Sequence, residues 1–273
     1  MTILTGERKP MSQTEEKTQT VAIDDLSVTF ASKRGRVNAL EGIDLHVERG
    51  EFIAIAGPSG CGKSTLLKAV AGLTKPSHGS IQLKGSVVEQ PRQDIGYVFQ
   101  RAALLEWRSV RGNILIQAEM RGMDMRSANK RTDELIEMTG LTGFEKALPH
   151  ELSGGMQQRV SLCRALLHKP DVLLMDEPFG ALDALTREKM NVEMNRIWRE
   201  TGTTVLLVTH SVAEAVYLAT RVVVMSPRPG RIVEEHTVDL EPERDYASVL
   251  ETPEFHRVSS RVRELLGSTA KAD

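Results

Sequence analysis

A chain of 273 residues with 40% hydrophobic and 26% charged residues can bury one large core, with or without a subdomain, and is not composed like a disordered protein. With 35 Lys and Arg against 37 Asp and Glu, the net charge of −2 carries no overall basic signature, so nucleic acid is not expected as a partner. No apolar run reaches the roughly 18 residues of a membrane span, the N-terminus lacks a signal-peptide core, and Cys61 and Cys163 make no metal or redox spacing. A reduced, cytosolic setting is expected, with any membrane served through a partner.

Residues 1–20 are rich in Thr, Glu, Lys and Gln without periodicity and read as a mobile tail. Apolar and polar residues alternate over Val21–Phe30 and again over Leu40–Val47, around a Lys-, Arg- and Gly-containing loop at Ala31–Arg36, which predicts antiparallel β-structure. Phe30 is one of few aromatics in a chain that is 4% aromatic. From its position alone it is a packing residue first and a stacking platform second.

The most informative stretch follows. An apolar strand, Phe52–Ala56, runs into Gly57, Pro58, Ser59, Gly60, Cys61, Gly62, Lys63, Ser64 and Thr65, which fits the phosphate-cradling pattern G-x-x-x-x-G-K-[ST]. Leu66–Gly72 then has helical spacing and a glycine stop. Glycines let the backbone wrap a polyphosphate closely, and the N–H groups of the helix start supply donors and positive dipole. Lys63 is placed to reach the β- and γ-phosphates of a nucleoside triphosphate, and the Ser64 hydroxyl to complete a Mg²⁺ shell. Cys61, at a helix N-terminus that favours thiolate, is expected to react with thiol reagents and to be protected by bound nucleotide.

Ser80–Leu83 and Ile95–Phe99 read as further strands, the second leading to Gln100. A mostly helical region spans Val110–Leu167, with one helix over Ser127–Thr139 stopping at Gly140. Leu152-Ser-Gly-Gly-Met-Gln-Gln-Arg159 then precedes a helical run. Taken alone, it is a loop with a serine N-cap; free amides at a helix start would also serve as a second anion site. Val172–Glu177 is an apolar strand ending in two carboxylates. Asp176 beside a phosphate loop is well placed to hold Mg²⁺ through water, and Glu177 to polarise an attacking water. The helix after Asp183 carries Met190, Met194, Ile197 and Trp198 on one face, a core stripe. Of the seven histidines only His210 ends a strongly apolar strand, Thr204–Thr209. Arg221–Met225 and Arg231–His236 read as closing strands and Thr252–Leu266 as a charged helix.

The order of these elements, with LSGGMQQR as the most specific, resembles the ATP-binding cassette ATPase family from about Val21 to about Leu240. The resemblance implies an α/β fold, a P-loop NTPase (RecA-like) parallel-sheet core with an antiparallel β subdomain and an inserted helical subdomain at roughly 101–167. Residues 21–240 would form the ATPase domain and 241–273 a C-terminal helical extension. It also implies a head-to-tail homodimer around two ATP, each held by one copy's phosphate loop and the other copy's Ser153, Gly154, Gly155 and Gln157. Phe30 would stack on adenine, and Ser64, Gln100 and Asp176 would hold Mg²⁺. Lys63, Gln100, Glu177 and His210 would be the catalytic set, with Glu177 as general base, and Asp183 would couple the two sites.

The wording DEPFGALDALTRE and RVVVMSPRPGRI is similar to the ATPase subunits of bacterial importers for nitrate, alkanesulfonates and taurine. These work at the cytoplasmic face of the inner membrane with two transmembrane permease subunits and an extracytoplasmic substrate-binding protein. Glu106-Trp107, Arg111-Gly112-Asn113, Ser211 and Cys163 depart from that subgroup's usual residues. The first two lie in the family's permease-contacting region, and the departures are expected to leave ATP hydrolysis untouched. A soluble cassette ATPase of DNA repair or the ribosome would bring a second cassette or coiled-coil arms. An exporter or lipid-transport ATPase stands as a further alternative. A small-molecule kinase would not need LSGGMQQR, and a module without turnover would be expected to lack Glu177 or His210.

Overall fold

The computed structural model describes residues 19–32, 35–180 and 182–269. The tail read at 1–20 lies mostly outside the described residues, but Gln19 and Thr20 are not part of it: they open the first strand, where Thr20 is buried. Strands β1 (Gln19–Ser32) and β2 (Gly35–Glu48) pair antiparallel along most of their length. Part of the loop expected at Ala31–Arg36 is paired strand, with Ala31 opposite Arg36 and Ser32 opposite Gly35, and residues 33 and 34 lie outside the described residues.

The second sheet uses β3 (Phe52–Ala56), β6 (Ile95–Val98), β7 (Val172–Asp176), β8 (Thr204–Val208), β9 (Arg221–Met225) and β10 (Ile232–Thr237), in the order β10-β9-β3-β8-β7-β6. All neighbours run parallel except the β9–β10 pair. β4 (His78–Leu83) and β5 (Ser86–Val87) complete the four-stranded antiparallel sheet, β2-β1-β4-β5. Strands β3, β7 and β8 are buried at every position, as strands covered on both faces must be; hence sequences that are apolar except for Asp176 at the end of β7 and Thr204 at the start of β8.

Alternation along β3 divides the interior in two. Ile53 and Ile55 face a core shared with the antiparallel sheet and with Leu66, Leu67 and Val70 of α1 (Lys63–Val70). Phe52 and Ala54 face the other core, built with the remaining helices. Three of these, α2 (Val110–Arg121), α3 (Met125–Met138) and α4 (Gly154–Leu166), form the insertion between β6 and β7. The α3 helix starts earlier than Ser127 because Asp124 accepts from the Ser127 N–H at 2.8 Å and so caps it.

The stripe on α5 (Ala184–Thr201) is core, with the Trp198 ring edge-on to Phe52 at 5.7 Å and its indole N–H donating to the Gly50 carbonyl at 3.0 Å. Helix α6 (Val212–Leu218) links β8 to β9. The C-terminal residues form α7 (Tyr246–Leu250) and α8 (Pro253–Thr269), and Val249, Phe255, Val258 and Val262 join the same core as Tyr217. Among the described residues, no helix is long and apolar enough to cross a membrane. Because β3, β7 and β8 are parallel, their C-terminal ends meet at one edge of the sheet, where the chemistry gathers.

Candidate active site

After β3 the chain turns through Gly57–Gly62 into α1. At Gly62 φ is +109°, and an added Cβ would lie 2.7 Å from both the Ala39 carbonyl oxygen and Leu40 Cδ2, so only glycine fits. The buried Lys63 ammonium donates to the carbonyls of Gly57 at 2.8 Å and Pro58 at 2.9 Å, which fixes it at the mouth of the loop. The expectation of a reactive Cys61 is corrected here. Its side chain is 1% exposed, packed beneath the loop among core residues that include Leu66 and Met225, so the loop presents backbone to the cleft and keeps the thiol from reagents.

The Ser64 hydroxyl donates to Asp176 Oδ1 at 2.7 Å, tying the start of α1 to the end of β7. The Tyr97 hydroxyl reaches the other Asp176 oxygen at 3.4 Å; burial and the Asp176 carboxylate push this phenol well above its ordinary range, so it stays a donor. The next residue, Glu177, has φ +48°, a left-handed conformation that costs a residue with a Cβ free energy. It is held there by its N–H donating to the Val208 carbonyl at 2.9 Å and its own carbonyl accepting from the Gly180 N–H at 3.2 Å. Both carboxylate oxygens are engaged: Gln100 Nε2 donates to Oε2 at 2.9 Å, and His210 Nε2 lies 2.5 Å from Oε1.

Lys63, Ser64, Gln100, Glu177 and His210 share one cleft of about 610 Å³ with Phe30, Ser59, Gly60 and Thr65, and Asp176 stands behind it on the Ser64 hydroxyl. Phe30 is 45% exposed on the cleft wall, so it is not a core packing residue. Two further residues belong to the site that the sequence did not single out. Arg228 lines the cleft, and its guanidinium donates to the Gly60 carbonyl at 3.0 Å from Nη2 and 3.2 Å from Nε. Gln158 Nε2 donates to the Gln100 carbonyl at 2.7 Å, joining α4 to the Gln100 loop. The exposed Arg228–Gly60 contact contributes about 1 kcal/mol. Arg228→Ala is therefore expected to raise the Kd for ATP by about threefold to tenfold with little change in kcat, read by nucleotide titration and steady-state turnover.

None of Ser153, Gly154, Gly155, Gln157 or Asp183 lines this cleft. Ser153 and Asp183 are N-caps: Ser153 Oγ accepts from the Met156 N–H at 3.3 Å, and Asp183 Oδ1 from the Thr186 N–H at 3.0 Å. The Thr186 contact holds the Asp183 carboxyl below its ordinary value. Gln157 donates its amide to the Pro149 carbonyl at 2.9 Å and braces the turn ahead of α4. The two glycines differ. A Cβ on Gly155 would strike Thr186 Cγ2 at 2.8 Å, so packing of α4 on α5 requires it; a Cβ on Gly154 would meet nothing within 4 Å. The cap and the phosphate loop are thus two separate surfaces of one chain.

A phosphate loop ending the central strand of a parallel sheet, with paired carboxylates and a histidine from the neighbouring strand ends, defines a P-loop nucleoside triphosphatase. The chain belongs to the ABC transporter family, whose sequence profile matches residues 40–180. It is 46% identical to the taurine import ATP-binding protein TauB of Roseobacter denitrificans over 239 residues, 86% of this chain and 89% of that one. It is 43% identical to the nitrate import ATP-binding protein NrtD of Synechocystis over 249 residues, 89% and 94% of the two chains. Among solved structures, the dimeric post-hydrolysis state of the ATP-binding cassette MJ0796 bound to ADP and Pi superposes with a TM-score of 0.71 at 30% identity, covering 82% of this chain and 99% of that one.

Proposed function

We propose that the chain is the ATP-hydrolysing subunit of an importer for a small solute of the taurine, alkanesulfonate or nitrate kind. It works at the cytoplasmic face of the inner membrane with two permease subunits and an extracytoplasmic substrate-binding protein. The observation that carries the reading is the convergence of Lys63, Ser64, Gln100, Glu177 and His210 on one cleft, with Asp176 bonded to Ser64 and the Glu177 carboxylate gripped from both sides. The imported class follows the names of the relatives, TauB and NrtD.

Adenine stacks on Phe30, and the Gly57–Thr65 backbone cradles the phosphates, with Lys63 leaving the Gly57 and Pro58 carbonyls for the β- and γ-phosphate oxygens. The hydroxyl of Ser64, the Asp176 carboxylate and the Gln100 amide oxygen are hard oxygen donors of the type Mg²⁺ accepts alongside phosphates, and the Ser64–Asp176 contact already places two of them together. When bound, the ion neutralises phosphate charge. Glu177 takes the proton of the attacking water, and His210 holds Glu177 and the γ-phosphate in line.

Ser153, Gly154 and Gly155 serve the ATP of a second copy, and Asp183 lies across that interface. The open space around Gly154 supports this, because its own chain gives no reason for a glycine there. An apolar groove of about 330 Å³ lined by Phe99, Leu105, Ile116 and Met120, together with the 76% exposed Trp107, supports permease docking beside the helical insertion.

Gly154→Ala separates the two uses of the cap. Unfolding stability should stay level or rise by up to about 1 kcal/mol, since alanine is the better helix former, while ATP-dependent dimerisation on gel filtration is lost. Dimerisation at parental ATP concentrations would remove Gly154 from the partner's site. Uptake of labelled taurine, an alkanesulfonate and nitrate by cells carrying the chain with its permease identifies the solute class, and uptake of none of the three would sink that assignment.

A further inference from the structure

We propose that Glu214 is a positioning residue for His210, acting through Thr209 and Ser211; the inference rests on the hydrolytic role of His210 given above. Glu214 Oε2 accepts from the Thr209 hydroxyl at 2.7 Å. That same hydroxyl oxygen accepts from the Ser211 N–H at 3.0 Å. The ring closes where the Glu214 N–H donates to Ser211 Oγ at 3.3 Å. His210 is the single residue between Thr209 and Ser211, so the ring fixes the peptide units on either side of it. Only the imidazole leaves this ring, and it meets Glu177. The Thr209 N–H also donates to the Ile55 carbonyl at 3.3 Å, which anchors the ring to β3, the strand that delivers the phosphate loop.

A carboxyl group is a costly choice for this place. Glu214 is 3% exposed, and its Oε1 has no hydrogen-bond partner among the described residues. Burial pushes its carboxyl up to about 7, opposed by the Thr209 hydrogen bond and the Arg187 charge from α5, and reinforced by Glu177. Tyr246 of α7 also feels the Glu214 charge. Packing alone would be better served by an apolar side chain of the same size, so the acceptor is there for the hydroxyl it receives. The ring determines where the imidazole stands relative to the Glu177 carboxylate, a relation that matters to turnover and not to ATP binding.

The test is steady-state hydrolysis and ATP affinity of the purified chain and three variants: Glu214→Ala, Glu214→Gln and Thr209→Val. Alanine and valine each break the ring and should lower kcat by about tenfold while KM and Kd for ATP stay within about twofold. Glutamine, whose amide oxygen still accepts from Thr209, should restore kcat to within about threefold of the parent. Parental kcat in Thr209→Val overturns the inference, and so does a glutamine variant as slow as the alanine one, or a loss that appears in KM alone. If Glu214→Ala does not fold, Thr209→Val, which removes only the hydroxyl, decides in the same way. A parent that hydrolyses no ATP overturns both this inference and the proposed function, whereas an active parent with unaffected variants overturns the role of Glu214 alone.

Discussion

Replacing Glu177 by glutamine is expected to lower ATP turnover by about 10²-fold or more while leaving ATP binding intact. The glutamine amide has the shape of the carboxylate and can keep its oxygen within reach of Gln100 Nε2, which now donates at 2.9 Å. The backbone that presents the side chain is fixed independently, by the Val208 carbonyl and the Gly180 N–H. What the amide lacks is basicity, so the variant should bind two ATP, dimerise, and stay dimeric because it cannot hydrolyse them. Gel filtration of parent and variant in ATP, beside a phosphate-release assay, reads both halves. Undiminished turnover would remove Glu177 as base. Lost turnover without a trapped dimer would leave the phosphate loop standing and the partner role of Ser153 refuted.

Arg244→Ala should be the most destabilising single change outside the cleft, by roughly 3–5 kcal/mol in urea unfolding. The side chain is 5% exposed, and no carboxylate lies within ion-pair distance of it among the described residues. Its guanidinium donates instead to backbone carbonyls: Glu241 at 2.8 Å, Ala219 at 3.2 Å, and Tyr217. The Tyr217 hydroxyl answers by donating to the Arg244 carbonyl at 2.8 Å. Burial lowers this guanidinium to about 10, which leaves it cationic at neutral pH, at the C-terminal end of α6 where the helix dipole favours a cation. Alanine leaves these carbonyls buried without donors and opens a cavity. Lysine should recover only part of the loss, because a point ammonium cannot span a fork of carbonyls. A cost of less than about 1 kcal/mol would show that water replaces the guanidinium without penalty.

The sequence was most legible where one physical demand dominates a stretch. Strands β3, β7 and β8 are covered on both faces, so apolarity alone announces them. Asp176, Glu177 and His210 lie near one another and near Ser64 of α1 because a parallel sheet brings its strand ends together. Ala31, Ser32, Gly35 and Arg36 were read as loop because the Lys, Arg and Gly of that stretch mimic one, whereas the backbone of these four residues is paired. Cys61 was misread because the helix-start argument concerns charge, whereas the direction of the thiol is set by packing against the core. Arg228 and Gln158 each act on one residue, 168 and 58 positions away, which no local pattern encodes. Arg244 went unnoticed because arginine is ordinarily a surface residue and nothing in its neighbourhood marks it as buried.

The left-handed backbone at Glu177 has a consequence for how this protein can be improved. A glycine there would relax the conformation and contribute about 1 kcal/mol to folding, yet it would delete the proposed base. Any selection that rewards heat resistance alone would therefore drift toward inert proteins at this position. Consensus engineering and directed evolution of the subunit need a transport or turnover screen at every round, because here durability and work pull in opposite directions.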